Sequence, residues 1–377
     1  MTRITSAATT ISLQAPGVTA LEIAARESTA TFPYNSFKAF LGDDFLITTT
    51  HPVTGVVVEF TEDGAGAANT AIDWAGKGCY DSKAKRVMWM STGQGINGTA
   101  GTYVRHTHAI YDENDSSNGT RQGRWSANRA FQPPGLSTVA VGHMYDSQCI
   151  DVTGRRFYKA SFNENKIAVC DLDSLAWIAS FDGPPQDYYL RTGALEFIPT
   201  RGSNGALWCY GQSLNVRTIW EKQLPNGSWT VVASGMGSYA EACMPMSYNP
   251  RTNKVLCGNN AAAAYIVDCS TLAVTATAAP PTTMDGNHYM HMCKEPPRVG
   301  LPNTGRGWIY FAVNGRYYQC SESGAWTDLG ASPGALAQPP GKGFPNCVQV
   351  PLDEYGVIWI VTAKYGTTGS RAWLYKP

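Results

Sequence analysis

Charge is scarce in this chain. Asp, Glu, Lys and Arg make up 15% of its 377 residues, against about 25% in an average globular protein. Lys plus Arg (29) balances Asp plus Glu (29), so the formal net charge is zero and there is no basic tract. That excludes the electrostatic footprint of a nucleic-acid binder. No apolar run approaches the ~20 residues of a membrane helix, so no membrane insertion is expected. Met1 to Gly17 is rich in Thr, Ser and Ala and lacks the apolar stretch of a secretory signal, so folding in a cytosol is expected. CxxC spacing is absent, which argues against a zinc ribbon. There is no GxSxG elbow, P-loop or HExxH, and no GxGxxG opening a helix. The three glycines of GQGING, from Gly93, fall in a loop between strand patterns. No cofactor, metal centre or catalytic residue is expected.

What is abundant is glycine (38), proline (22), tryptophan (11) and tyrosine (19), with 43% hydrophobic residues. Many turns, many aromatics and little charge favour an all-β chain with a continuous core. The ten cysteines fall mostly inside apolar strand patterns, where a thiol behaves as a small buried hydrophobe.

One strand pattern returns six times, roughly every fifty residues. It reads THAIYDE from Thr107, KIAVCDL from Lys166, RTIWEKQL from Arg217, AAYIVDCS from Ala263, GRYYQCSE from Gly315 and SRAWLYKP from Ser370. Ahead of it lies a hairpin of constant size, because one spacing separates Tyr80 from Val87, Ile150 from Phe157, Tyr248 from Val255 and Val350 from Val357. The turns between are DSKAKR, DVTGRR, NPRTNK and PLDEYG, which is hairpin chemistry. Units three and five carry insertions here. Second strands such as ALWCYG (Ala206), WIYFAV (Trp308) and VIWIVT (Val357) are apolar on both faces, so they are buried on both faces. A fourth strand often opens on a tryptophan: Trp177, Trp229 and Trp326, with Trp125 delayed behind a polar insertion.

Four-stranded antiparallel sheets at this period define an all-β, six-bladed β-propeller, with seven blades as the less favoured count. The last unit ends on its third strand. Val56–Thr61 (VVVEFT) is expected to supply the missing fourth, so that the two chain ends pair and close the ring. Asp43–His51 can form a further strand against Val56–Thr61 across the PVTG turn. Residues 1–35 read as an extended N-terminal arm, and 36–377 as a single propeller domain.

The organisation resembles Kelch-type and galactose-oxidase-like propellers over residues 56–377. Tyr111, Tyr318, Trp229 and Trp326 echo the aromatic part of the Kelch unit, while its double glycine is absent. SESGAWTDL resembles the Asp-box turn of sialidases without its aspartate.

In a propeller the first strands line the axis. Counting back from the hairpin turns by one fixed spacing gives Asp73, His143 and Glu241 at an axial mouth, with Arg191, His288 and His291 nearby. An inter-blade loop adds Asp187, Tyr188, Tyr189 and again Arg191, residue types enriched in binding hot spots. These nine are candidate binding residues. The neutral, aromatic, Gly-rich chain with a polar arm also resembles propeller proteins of bacteriophage particles (tail, adaptor or nozzle, capsid decoration). That resemblance implies a structural subunit assembled in a host cytoplasm and located in the virion. Its partners would be other virion or assembly proteins, bound through the arm. The alternatives are a carbohydrate- or receptor-binding propeller, whose partners are glycans, and a glycan-active enzyme with its site at the axial mouth.

Overall fold

A computed structural model of the chain describes residues 36–39, 48–50, 57–59, 77–84, 86–91, 107–112, 124–126, 134–135, 146–160, 164–185, 193–213, 216–238, 245–258, 263–281, 291–298, 301–312, 315–331, 347–362 and 371–377. Three strands precede the repeat: β1 (Ser36–Ala39), β2 (Thr48–Thr50) and β3 (Val57–Glu59). The first blade is β4 (Cys79–Asp81), β5 (Arg86–Ser91), β6 (Thr107–Asp112) and β7 (Arg124–Ser126). The second is β8 (Gln148–Asp151), β9 (Arg156–Ala160), β10 (Lys166–Asp171) and β11 (Trp177–Asp182). The third is β12 (Ala194–Ile198), β13 (Ala206–Ser213), β14 (Val216–Gln223) and β15 (Trp229–Ser238). The fourth is β16 (Met246–Asn249), β17 (Lys254–Gly258), β18 (Ala264–Asp268) and β19 (Val274–Ala276). The fifth is β20 (His291–Lys294), β21 (Trp308–Phe311), β22 (Arg316–Cys320) and β23 (Trp326–Ala331). Each is an antiparallel sheet of four consecutive strands, as a β-propeller requires. One more four-stranded sheet combines β24 (Cys347–Leu352), β25 (Val357–Thr362) and β26 (Arg371–Lys376) with β1.

That last pairing corrects the expected latch. The strand on β26 is Ser36–Ala39, in the register Ser36 to Lys376 and Ala39 to Trp373. Val57–Glu59 pairs instead with Thr48–Thr50 as a two-stranded ribbon, which is the pairing expected across the PVTG turn. The ribbon is too small to be a seventh blade, and no other strands among the described residues supply one. The arm, residues 1–35, lies outside the described residues.

The hairpins form where the sequence places its Asx residues. Asp81 Oδ1 accepts from the Lys83 and Ala84 amides, Asp151 Oδ1 from Gly154 and Asn249 Oδ1 from Arg251. Asp171 and Asp268 do the same at the outer hairpins. A side-chain oxygen that captures amides two or three residues on closes a turn locally. The residue entering the second strand then takes a left-handed φ: Arg155 (57°), Gly205 (75°), Asn253 (52°) and Gly356 (65°).

The core is a set of seams between sheets. Cys79 and Met88 of the first blade pack with Phe157, Cys170 and Trp177 of the second. Leu256 and Ile266 of the fourth pack with Trp308, Tyr310 and Tyr318 of the fifth. Ile309 and Phe311 meet Ile358, Ile360 and Tyr375. The second strands are buried on both faces, as their apolar runs imply, with Trp208, Trp308 and Trp359 at 1% exposure or less. The tryptophans that open fourth strands reach back to the preceding blade. Trp229 donates to the Asp182 carbonyl at 2.8 Å, and Trp326 to the Ala278 carbonyl at 3.1 Å.

The first and last sheets also meet. The Gly78 amide donates to the Gln349 carbonyl at 3.1 Å, and Lys77 forms a parallel bridge with Gln349. A Cβ on Gly78 would sit 2.4 Å from Val350 Cγ2 and 2.8 Å from Val348 Cγ1. Those valines are stiff and fully buried. Gly78→Ala is therefore expected to cost about 1–3 kcal/mol by overpacking, read as a lower urea midpoint at unchanged slope. An unchanged midpoint would mean that this seam is open.

Candidate functional site

Inner strands that converge on one axis leave a space between them. Here it is a cavity of about 560 Å³. Asp151, Glu196, Tyr248, Lys294 and Gln349 line it from the inner strands of five four-stranded sheets, joined by Lys77 from just ahead of the first blade. These positions follow from the strand starts. Lys77 sits just ahead of β4, and Glu196 is mid-strand in β12, where its neighbours Leu195 and Phe197 point the other way.

Several of the charged groups here pair with one another. Lys77 Nζ pairs with Glu196 Oε1 at 2.5 Å and donates to the Leu195 carbonyl at 3.0 Å. Glu196 Oε1 also accepts from the Tyr248 amide at 3.2 Å. Gln148 Nε2 donates to the Lys77 carbonyl. Asp146, 3% exposed, receives the Met246 amide on Oδ2 at 3.2 Å, and its carbonyl accepts from Leu195 at 3.0 Å. At the other end Lys294 pairs with Asp353, and the Tyr80 hydroxyl donates to Glu354. Blades one to four are thus tied at the axis by side chains as well as by packing.

The thiols near the axis are buried and quiet. Burial pushes Cys79 up to about 12 and raises Cys149 well above the ordinary thiol value. A nucleophilic or metal-binding cysteine needs the opposite shift. All eight cysteines with described side chains are free and buried.

Beside this network lies Lys159, 1% exposed. Its Nζ donates to the Ala160 carbonyl at 2.6 Å, to the Ser147 carbonyl at 3.3 Å and to the Ser147 hydroxyl. Burial lowers its pKa well below the lysine value. A depressed lysine pKa means that the unfolded chain binds the extra proton, so this residue costs stability at pH 7 and the cost fades as pH rises toward the unfolded pKa. Lys159→Met is expected to stabilise the fold by about 1–2 kcal/mol at pH 7, with the difference from the parent shrinking by pH 10. A pH-independent loss in urea unfolding would contradict this.

Of the sequence-derived candidates, Asp73, His143, Asp187, Tyr188, Tyr189, Arg191, Glu241 and His288 lie outside the described residues. His291 is described in its backbone alone, in β20 opposite Phe311. Sequence reasoning missed Lys77, Asp146 and Glu196. The signal available was a lone charge in or beside an otherwise apolar inner strand. Among the described residues no group of three or more His, Cys, Asp or Glu is arranged to hold a metal ion.

No family model matches the chain, and no curated protein matches it. Among solved structures it is similar to a chain of a nidogen/laminin complex, at 10% identity and a TM-score of 0.44, over 68% of this chain and 80% of that one. The β-propeller class rests on the strand order and pairing within the sheets.

Proposed function

We propose that this chain is a structural, protein-binding ring within a larger assembly. One observation carries the reading. Charged groups of the axial cavity pair across blades, Lys77 with Glu196 and Lys294 with Asp353, and these pairs hold sheets together. Charge pairs that cross between elements restrain them relative to one another. The same reading treats the β24–β25–β26–β1 sheet as a sixth blade and the Gly78–Gln349 contact as the seam that closes the ring.

The finer form of the proposal is a bacteriophage virion component: a tail, adaptor or nozzle, or decoration protein. It rests on the low charge, the glycine content and the wealth of Trp and Tyr. Residues 1–35 would be the docking arm. The test is to purify the assembly that contains this chain, with and without residues 1–35, and to image it by electron microscopy. The reading expects several copies of the ring per particle and loss of incorporation without the arm, while the truncated chain stays folded. A monomer indifferent to the truncation would overturn it, and saturable binding on a glycan array would favour the carbohydrate-binding alternative.

A further inference from the structure

The axial cavity of about 560 Å³ has an uncharged collar. In each of the six inner hairpins the residue one pair short of the turn lines it: Tyr80, Ile150, Phe197, Tyr248, Cys293 and Pro351. Three of these are aromatic. Ile150 and Phe197 also pack onto the seams between blades. Even so, Tyr80, Ile150, Phe197 and Pro351 stay half-buried, because side chains around a ring do not meet across its axis. The turn residues Ser82, Thr153, Pro199, Pro250 and Glu354 line the cavity and are exposed, so it opens at the inner-hairpin face. A concave, mostly apolar space of this volume with a few polar groups is the usual form of a small-molecule site.

The charges around the collar do not balance. Asp151, Glu196, Asp353 and Glu354 line the cavity against Lys77 and Lys294. Lys77 is paired with Glu196 and Lys294 with Asp353. Two carboxylates are therefore in excess of the ammonium groups, and among the described residues no Arg or His lines the cavity. Asp151 is 5% exposed and takes the Gly154 amide in its own turn. Glu354 is exposed at the mouth, where it accepts from the Tyr80 hydroxyl. A carboxylate beside an aromatic ring attracts a cation twice, through its charge and through the quadrupole of the ring.

We propose that this cavity binds a small organic cation, with its apolar body in the collar and its ammonium group at Glu354 beside Tyr80. The inference does not rest on the assembly reading. An anion would meet the excess acid. A sugar would set its hydroxyls against Ile150, Phe197 and Pro351, whose side chains offer no hydrogen bond. A metal ion would find no group of three or more His, Cys, Asp or Glu arranged to hold it among the described residues. An ammonium group on an aryl or alkyl body matches the walls and the charge together.

The test titrates phenethylamine, protonated at neutral pH, into the full chain carrying labelled isoleucine methyls, read by NMR. Phenylethanol and phenylacetate are the neutral and anionic probes of the same body, and Ile150→Val assigns the Ile150 signal. The Ile150 Cδ1 methyl is expected to shift saturably under the ring current of the bound probe. Ile167, sealed in the seam to the third blade, should stay still. Affinity for phenethylamine should exceed that for phenylacetate by about tenfold or more. Glu354→Gln alters an exposed side chain and should cut that ratio by about threefold or more. No saturable shift at Ile150 with phenethylamine, an equal shift at Ile167, phenylacetate bound as tightly as the amine, or a ratio unmoved by Glu354→Gln would each overturn the proposal.

Discussion

Arg155→Ala is expected to lower the unfolding free energy by about 3–5 kcal/mol. Arg155 sits in the inner hairpin turn of the second blade with φ 57°. Its guanidinium reaches across the seam to Asp81 in the matching turn of the first blade, with both nitrogens on both oxygens at 2.6 and 2.7 Å. Asp81 is fully buried. Truncating the arginine leaves a buried carboxylate whose remaining donors are the Lys83 and Ala84 amides. The cost is mainly that stranded charge, since the pair itself is worth far less than its breakage. The double substitution Asp81→Leu with Arg155→Met should accordingly recover part of the loss, short of the turn bonds that Asp81 accepts from the Lys83 and Ala84 amides. Urea unfolding of the three variants measures both effects. A loss under 1 kcal/mol in Arg155→Ala would mean that water reaches Asp81 and that the seam is open.

Deleting residues 1–39 should destabilise the chain by about 3 kcal/mol or more relative to deleting 1–35. The difference is β1, whose four residues pair with Trp373–Lys376. Ladder hydrogen bonds contribute about 1 kcal/mol net each. Their loss also exposes the edge of β26, which invites pairing between molecules, so the shorter chain should associate as its concentration rises. A flexible Gly-Ser replacement of Val57–Glu59 serves as the control. It breaks the β2–β3 ribbon alone and should leave the melting transition of the repeat unchanged. If the control variant were the one to fall apart, the latch would belong to Val57–Glu59 after all.

The repeat was legible because each hairpin carries its own turn chemistry. DSKAKR, DVTGRR and NPRTNK set their turns through Asp81, Asp151 and Asn249, and the second strands are apolar on both faces. Trp177, Trp229 and Trp326 open fourth strands as their spacing implies. The inner strands of units three and five were hidden by insertions, which separate Ile198 from Ala206 and Lys294 from Trp308 in the paired strands. The latch was misplaced because Ser36–Ala39 is a short, half-polar segment with less β character than VVVEFT. Only closure of the last sheet selects it.

The axial residues were counted from a fixed distance ahead of the turn. The inner strands are shorter than that count assumed, since β4 begins at Cys79 and β8 at Gln148. The count gave Asp73 and His143, which lie outside the described residues, whereas Lys77 and Asp146 follow them by a few positions. Burial of Asp81 was equally hidden. Its turn reads as an exposed polar loop until the arginine of the next unit covers it. Long-range partners such as Lys77 and Leu195 have no local signature at all.

A side-chain-resolution density map of the purified full chain tests the closed ring most directly. The account predicts six four-stranded sheets around one cavity, Ser36–Ala39 on the outer edge of the last sheet, and Gly78 bonded to Gln349 where first and last sheets meet. An open arc of five sheets, with solvent between Gly78 and Gln349, would contradict it.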